Sequence, residues 1–294
     1  MKEKKKIRTK DGRTISATCY LPGTTNGKNI IVAPAAAVVQ QDYEAFSIFF
    51  QQLGYTVITF DYRGVGESAP AHLKGFDAGL QQWAVQDTDA VIRFVRTSFQ
   101  NQELIYIGHG IGGELIGLAQ ASQYINRLVL VSSSLSCKRL WTWKGRLRIT
   151  ARKTIVQLAS KWFGYFPGKR LGYFRDLPKG VAHEWANWCN NPNGLFDVFP
   201  ENNYRKLQVP LLAVSFSNDW MTPEKAVKGL LSYFSSASIT WHQIDPQNEG
   251  LKKRQQYCFF AQRMKSMTWM MLQQWLNEES SYEQQPLTIN PDAG

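Results

Sequence analysis

The sequence has few of the residues that cross-link a chain or bind a metal ion. Only four cysteines and four histidines occur in 294 residues, and no two cysteines have a Cys-x-x-Cys spacing. A chain of this length can bury a large core without disulfide bonds. We therefore expect reduced, mostly packed thiols, no metal site and no cofactor.

Long hydrophobic runs are also missing. The longest, residues 30–39, is far too short to span a bilayer. The charged residues at the start of the chain are not followed by an apolar stretch, so we expect an unsecreted protein. We expect a cytoplasmic protein, with a flexible polar tail over residues 279–294.

Positive charge is concentrated in one part of the chain. The net charge is +11, and residues 136–180 contain twelve basic residues and one acidic residue. A solvated helix face is the ordinary explanation for such a segment. The alternatives are contact with an anionic membrane surface, an acidic protein or a small acidic ligand. No nucleic-acid motif is present.

Short β-rich apolar runs alternate with longer helical patterns, which is typical of a mostly parallel sheet with helices on both faces. The sequence predicts an α/β fold with about eight strands. The strands that can be bounded are residues 15–21, 29–33, 56–61, 103–108, 127–132, 211–216 and 239–244. Helices are predicted over residues 43–53, 82–97, 113–123, 223–233 and 259–276.

Residues 137–204 interrupt this alternation. They show no strand pattern and contain five of the ten tryptophans. We predict a helical lid inserted into a core formed by residues 1–136 and 205–278. About half of the lid aromatics are expected to pack between lid and core, since aromatic side chains dominate protein interiors.

One glycine-rich string, LIYIGHGIGGE at residues 104–114, has the spacing of a nucleophile elbow. In the pattern Gly-x-Ser-x-Gly, small residues two before and two after the nucleophile let a strand and a helix approach closely. Gly108 and Gly112 are those small residues, and Gly110 is at the serine position. The alternative is the phosphate-binding loop of a dinucleotide fold, but the third glycine falls at Gly113 and the expected acidic ribose ligand is missing.

The chain from about residue 7 to residue 276 resembles the bacterial α/β hydrolases related to serine aminopeptidases. Four segments support the resemblance: DYRGVGES at residues 61–68, FGYFPGKRLG at residues 163–172, DLPKGV at residues 176–181 and EWANWC at residues 184–189. The resemblance implies an α/β-hydrolase fold with an inserted lid. It also implies a catalytic triad in the order serine, acid, histidine.

The resemblance assigns the triad positions and the oxyanion hole. Asp219 is at the acid position, Gln256 is at the histidine position and Gly110 is at the serine position. Glycine has no nucleophilic atom, and the amide of glutamine does not titrate near neutral pH. The predicted oxyanion-hole donors are the N–H of Ile111, at the start of a helix, and that of Ala35 or Ala36.

These residues predict an α/β-hydrolase-fold protein without the usual triad chemistry, which binds an acidic or acyl small molecule. The alternative is a non-hydrolytic or weakly active enzyme, such as an esterase, lyase or isomerase, that uses the retained oxyanion hole. That alternative needs a titratable residue near the site. His183 in the lid is the first candidate, ahead of His72, His109 and His242.

Overall fold

The structure is a computed structural model that describes residues 1–172, 175–217, 219–245 and 258–278. Its strands are β1 (Lys2–Arg8), β2 (Thr14–Tyr20), β3 (Lys28–Ala33), β4 (Thr56–Phe60), β5 (Glu103–His109), β6 (Arg127–Val131), β7 (Tyr165–Phe166), β8 (Leu177–Pro178), β9 (Pro210–Phe216) and β10 (Ser238–Ile244). Eight of them form one sheet in the order β1-β2-β4-β3-β5-β6-β9-β10. The sheet is parallel from β4 to β10, and β1 and β2 form an antiparallel edge.

Helices cover both faces of this sheet. They are α1 (Glu44–Gln52), α2 (Leu80–Gln82), α3 (Asp89–Ser98), α4 (Ile111–Glu114), α5 (Trp143–Phe163), α6 (Lys179–Trp188), α7 (Glu224–Leu231) and α8 (Met270–Asn277). A π-helical turn, Trp83–Thr88, joins α2 to α3. Within the described ranges, no helix combines the length and the apolar character needed to cross a bilayer.

The hydrophobic core is divided by the sheet, because successive strand residues point to opposite faces. On β3, Ile30 packs with α1 and α8 on one face, whereas Ile31 packs with α3 and α7 on the other. Both side chains are fully buried. The central strands are therefore continuous apolar runs, as expected for parallel strands covered on both sides.

All seven bounded strand predictions are confirmed to within one residue at each end. Strand β1 was not predicted from the sequence; it is rich in lysine and buries only Ile7. Its hydrogen bonds to β2 run from Lys2 opposite Tyr20 to Arg8 opposite Thr14. Lysine is common on edge strands, where one side of the backbone is unpaired, so the composition of β1 hides its structure.

The helix predicted over residues 113–123 is wrong. Helix α4 has only four residues, and two short 3₁₀ segments, Ile116–Leu118 and Gln120–Tyr124, follow it. The carbonyls that a longer helix would use are taken by side and main chains from residues 203 and 204. Tyr204 Oη donates to the carbonyl of Glu114, Asn203 N–H donates to the carbonyl of Gly117 at 2.8 Å, and Asn203 Nδ2 donates to that of Ala119 at 3.3 Å.

The predicted helix over residues 259–276 is divided in a similar way. Two 3₁₀ segments, Cys258–Phe260 and Gln262–Met264, and a π-helical turn, Lys265–Trp269, precede α8. The carbonyl of Phe259 accepts hydrogen bonds from Trp269 Nε1 at 2.6 Å and from Thr268 Oγ1 at 3.1 Å. Side-chain donors therefore satisfy a carbonyl that would otherwise belong to a continuous helix.

Residues 137–204 connect β6 to the segment before β9 and contain α5 and α6. The expectation that they form no strand is wrong, since β7 and β8 pair as a short antiparallel ribbon. Each strand has two residues, and β7 follows directly after Gly164, which ends α5 with a φ of 77°. Two residues are too few for a side-chain alternation to be visible in the sequence. The limits of the lid stay a prediction, and residues 279–294 lie outside the described ranges.

The string at residues 61–68 is a structural element of the loop after β4. The buried carboxylate of Asp61 accepts hydrogen bonds from Gln40 N–H, Gln40 Nε2 and Glu67 N–H, all at 2.8 Å. Gly66 has a φ of 53°, and a Cβ there would lie 2.4 Å from Asp61 Oδ2. The side chain of Ser68 donates to the carbonyl of Asp61 at 2.7 Å. These residues hold the loop together.

Candidate functional site

The candidate site begins at the bend between β5 and α4. At its tip, Gly110 has a φ of 53° and a ψ of −118°, a conformation that L-residues adopt only under strain. Around it the backbone is tightly packed. A Cβ on Gly108 would lie 2.3 Å from Gly113 Cα, and one on Gly112 would lie 2.5 Å from the carbonyl oxygen of Ala33. Glycine is therefore required on both sides of the tip.

The tip itself has space for a side chain. Among the described residues, the nearest atoms to an ideal Cβ on Gly110 are Ala35 Cβ at 3.2 Å and two atoms at 3.9 Å, Ala35 Cα and the carbonyl oxygen of Ser132. A shift of a few tenths of an ångström would relieve the closest contact. Glycine is thus favoured at position 110 because of the backbone conformation there. At Gly108 and Gly112 it is required because a side chain would have no space. This is the arrangement of a bend built to carry a side chain at its tip.

The turn after β3 lies beside this tip and contains the other predicted oxyanion-hole donors. The N–H of Ala35 donates to Tyr43 Oη at 3.1 Å. In the described part of the chain, no hydrogen bond uses the N–H of Ala36 or that of Ile111. Ala37 has a φ of 63°, which is uncommon for a residue other than glycine. Ala36 and Ile111 are therefore better placed than Ala35 to donate to a bound oxygen.

The helix dipole expected behind these donors is much reduced. The macrodipole is the sum of aligned peptide dipoles, and α4 contributes only one turn. The helix behind the predicted donors is thus shorter than expected, and the oxyanion-hole assignment stays a prediction. Any capacity to bind an anion rests on individual N–H groups and on nearby cationic side chains.

His109 is buried beneath the turn after β3. Its Nδ1 lies 2.9 Å from Tyr43 Oη, and its ring packs against Phe260 with centroids 5.1 Å apart. Tyr43 Oη also accepts the N–H of Ala35, so this hydroxyl connects the imidazole to the turn after β3. His109 therefore helps to hold the turn after β3 in place through Tyr43.

The carboxylate of Asp219, at the predicted acid position, is hydrogen-bonded within its own loop. Its Oδ1 accepts the N–H of Met221 at 2.9 Å, and its Oδ2 accepts the hydroxyl of Thr222 at 2.5 Å. Burial raises the pKa of this carboxyl above its usual value, and the hydrogen bonds partly offset that effect. Met221 and Thr222 then line the cavity above the bend. Gln256, at the predicted histidine position, lies outside the described residues.

The cavity above the bend has a volume of about 180 Å³ and lies between the lid and the core. Gly110, Ala35, Ala36 and Ile111 all border it, so the structure brings four of the six predicted site residues together. Most of its wall is apolar and comes from both the core and the lid: Leu80, Trp141, Ile149, Val156, Phe166, Leu177, Val181 and Trp185. Among the described residues, no three His, Cys, Asp or Glu side chains are grouped to hold a metal ion.

His109 borders this cavity, whereas His72, His183 and His242 are not among its described lining residues. Burial and the nearby ammonium of Lys179 lower the pKa of His183, and its Nε2 is buried without a hydrogen-bond partner. His72 and His242 are exposed on the surface. The structure therefore gives no support to a lid histidine as the titratable group of the site.

Two charged residues of the cavity wall were missed by the sequence analysis. Arg152 of α5 borders the cavity and places its Nη1 3.0 Å from Met221 Sδ. Glu114 of α4 is fully buried there, and its two carboxylate oxygens accept the N–H of Ser136 at 2.6 Å and the hydroxyl of Ser136 at 2.7 Å. Burial raises the pKa of Glu114 to about 7, against the effect of both hydrogen bonds.

A signal for Glu114 was present in the sequence. It is the one charged residue in the stretch IGGELIGL at residues 111–118, where every other residue is apolar or glycine. A carboxyl group is rarely fully buried without a partner. The signal for Arg152 was hidden, because the segment around it contains many other basic residues.

Comparison with known proteins places this geometry in a family. The model of a family described as "Alpha/beta hydrolase family" matches residues 30–242. No curated protein sequence matches the chain. Solved structures with a similar fold include an esterase from Pyrococcus furiosus, with a TM-score of 0.60 and 16% identity over 94% of this chain and 91% of that one.

Two further structures show the same fold. An esterase from Exiguobacterium antarcticum has a TM-score of 0.56 and 13% identity, covering 92% of this chain and 99% of its own. The alpha/beta hydrolase GrgF from Penicillium has a TM-score of 0.58 and 15% identity, covering 94% and 96%. The predicted α/β-hydrolase fold, with its mostly parallel eight-stranded sheet, is confirmed. The family match does not support the dinucleotide-binding alternative for the glycine-rich string.

Substitution by alanine at two glycines of the bend should have unequal costs. In Gly110→Ala the new methyl group has space, so we expect only the cost of the strained conformation, about 1–3 kcal/mol. In Gly112→Ala the methyl group collides with the backbone of β3, and we expect a larger loss or failure to fold. Urea unfolding of both variants measures this. If Gly110→Ala lowers the free energy of unfolding as much as Gly112→Ala or more, a Cβ at Gly110 would not have the space that we infer.

Replacement of Glu114 should change how stability depends on pH. Its pKa in the folded protein is about 7, above the ordinary 4.5, so its proton stabilises the fold at low pH and this contribution is lost as pH rises through 7. Glu114→Gln keeps the shape and needs no proton. We expect it to match the native protein near pH 4.5 and to exceed it near pH 8, by up to about 3 kcal/mol.

The measurement is urea unfolding of both proteins across this pH range. Glu201→Gln, on the exposed surface, is the control and should follow the native curve. Parallel curves for Glu114→Gln and the native protein would mean that Glu114 does not hold its proton in the folded state.

Proposed function

The chain belongs to the alpha/beta hydrolase family, and we propose that it binds a small acyl acid in the cavity between lid and core without forming an acyl-enzyme. The observation that carries the proposal is the bare backbone at the tip of the bend. Acyl transfer on this fold needs a side-chain oxygen or sulfur at that tip, and Gly110 has neither. The resemblance found in the sequence adds Gln256 at the histidine position, and the amide of glutamine cannot accept a proton near neutral pH.

The cavity wall supports an acyl ligand. Its lining is mainly aliphatic and aromatic, with a small number of polar groups near the bend. Such a composition favours an apolar ligand whose one polar end fixes its orientation. The volume of about 180 Å³ is below the range of about 300–1,000 Å³ that drug-sized ligands occupy. A short acyl chain fits this size better than a long one.

The polar groups favour a negative charge at the ligand's head. The N–H groups of Ala36 and Ile111 border the cavity, and Arg152 adds a cation from the lid. Asp219 is bonded to its own loop and does not line the cavity as described. Glu114 is the acid in the wall. Its raised pKa lets it take a proton and donate to a carboxylate instead of repelling it.

A second candidate function is a weak enzyme that forms no covalent intermediate. Glu114 favours this candidate, because a carboxyl group with a pKa of about 7 can accept or release a proton at neutral pH. It borders the same cavity as the two N–H donors. In this candidate Glu114 takes the place that the sequence analysis gave to His183.

Ester hydrolysis separates the main proposal from an ordinary hydrolase. We expect the native protein to form no adduct with a fluorophosphonate probe. Its hydrolysis of short-chain nitrophenyl esters should exceed the rate in water by no more than about 10³–10⁴-fold, the residual acceleration that a triad-deleted hydrolase retains. The double variant Gly110→Ser, Gln256→His should react with the probe and hydrolyse the esters faster. Gly110→Ala with Gln256→His is the control, since it restores the histidine without a nucleophile.

The outcomes of this experiment have different meanings. An acylated or probe-labelled native protein would overturn the proposal. Turnover by the native protein without any covalent adduct, lost in Glu114→Gln, would favour the second candidate. A folded double variant that stays inert would mean that the chain lacks more of the catalytic geometry than two side chains.

Binding of short acyl acids tests the ligand class directly. We expect butanoate or hexanoate to raise the melting temperature of the native protein, and the matching alcohols to do so much less. Arg152→Met should weaken binding by about tenfold, the usual effect of losing one charge-assisted contact. Arg148→Met is the matched control, because Arg148 is on the same helix but is exposed and does not border the cavity. Equal binding of acids and alcohols would argue against an anionic head.

A further inference from the structure

Helix α5 has two apolar faces, and only one of them is covered. The covered face consists of Gly145, Ile149, Val156 and Ser160, which are buried against the rest of the protein. On the opposite side are large apolar side chains with high exposure: Trp143 (68%), Leu147 (63%), Ile155 (49%), Leu158 (55%) and Trp162 (85%). We call these five residues the outer stripe of α5.

The spacing of the outer stripe places it along one side of α5, with the large apolar side chains toward the two ends and Ala151 and Thr154 between them. Residues of an α-helix are about 100° apart around its axis, so Trp143, Leu147, Leu158 and Trp162 share one side, roughly opposite the buried face. From Trp143 to Trp162 the stripe is about 30 Å long. Scattered exposed apolar residues need no explanation, but a contiguous patch with polar edges marks an interaction surface.

The charges around the outer stripe have one sign. Helix α5 contains six basic residues and no acidic residue. Lys144, Arg148 and Lys161 are exposed and make no ion pair with an acid in the described part of the chain. Lys169 and Arg170 lie just beyond the end of α5 and are also exposed. A partner of this surface must therefore offer both negative charge and an apolar layer.

We propose that the outer stripe of α5 docks on the surface of an anionic lipid bilayer, with its apolar side chains in the headgroup region and its basic residues on the lipid phosphates. An amphipathic helix with tryptophan, leucine and basic residues is the usual form of such a surface. Tryptophan at both ends of the stripe matches the preference of its ring for the membrane interface. The charge complementarity selects anionic over neutral lipid.

Docking through the outer stripe would also fix the orientation of the cavity relative to the bilayer. Ile149, Arg152 and Val156 of the same helix border the cavity from the other side. The lid would then separate the bilayer from the cavity by the thickness of one helix. The proposal does not depend on the ligand or on the absence of hydrolysis, because it uses the opposite face of α5.

Vesicle flotation tests the proposal with the full-length protein. We expect binding to vesicles made of equal parts of phosphatidylserine and phosphatidylcholine, weak or no binding to phosphatidylcholine alone, and release at high salt. Leu158→Gln with Trp162→Gln keeps the charge and should reduce binding at least tenfold. Arg148→Gln with Lys161→Gln keeps the apolar stripe and should reduce binding by about fivefold for each charge removed.

The matched control is Met270→Gln, which removes an exposed apolar side chain from α8, away from the lid. It should bind vesicles like the native protein. Melting temperatures show that each variant is folded, and all four replaced side chains of α5 are exposed or at the surface.

Three results would overturn the proposal. The first is no binding of the native protein to anionic vesicles. The second is binding that neither pair of α5 substitutions weakens, which would place the contact elsewhere. The third is a dimer in sedimentation that Leu158→Gln with Trp162→Gln dissociates while vesicle binding is absent, which would assign the outer stripe to a second copy of the chain.

Discussion

Backbone packed directly on backbone, at the bend between β5 and α4, is the constraint on which the site depends. Gly108 and Gly112 have no room for a methyl group, so the strand and the first turn of α4 approach within contact distance. This approach fixes the backbone of Gly110 at the edge of the cavity, with the N–H of Ile111 beside it. The position and conformation of the tip are thus set by its neighbours, independently of the residue at the tip.

The lid determines what the cavity can receive. Its inner side supplies most of the apolar wall and one cation, and the two charged groups of the wall, Glu114 and Arg152, come from the core and the lid respectively. A ligand that lies between them is in contact with both parts of the protein. Ligand binding and the position of α5 are therefore expected to be coupled, because contacts with both parts favour one arrangement of the lid.

The sequence predicted the strands well and the helices around the site poorly. Continuous apolar runs identify buried parallel strands, since both faces are covered, and each was bounded to within one residue. The length of α4 could not be predicted, because Tyr204 and Asn203, some ninety residues away in the chain, bind carbonyls that a longer helix would use. The donor role expected of Ala35 depended on the hydroxyl of Tyr43, which lies only eight residues along the chain but follows a turn whose geometry the pattern does not specify. Local patterns contain no information about such partners.

The edge of the sheet at β1 has a consequence for how copies of this chain can meet. An open strand edge normally offers its unpaired N–H and C=O groups to any extended segment. Here four lysines, at positions 2, 4, 5 and 6, follow that edge. Lys2, Lys4 and Lys5 pair with Glu44, Glu67 and Glu3 of the same chain. A second copy aligned on this edge would crowd two rows of charged side chains and disturb these ion pairs. Fibre-like growth through this edge is therefore disfavoured, even where the protein is crowded.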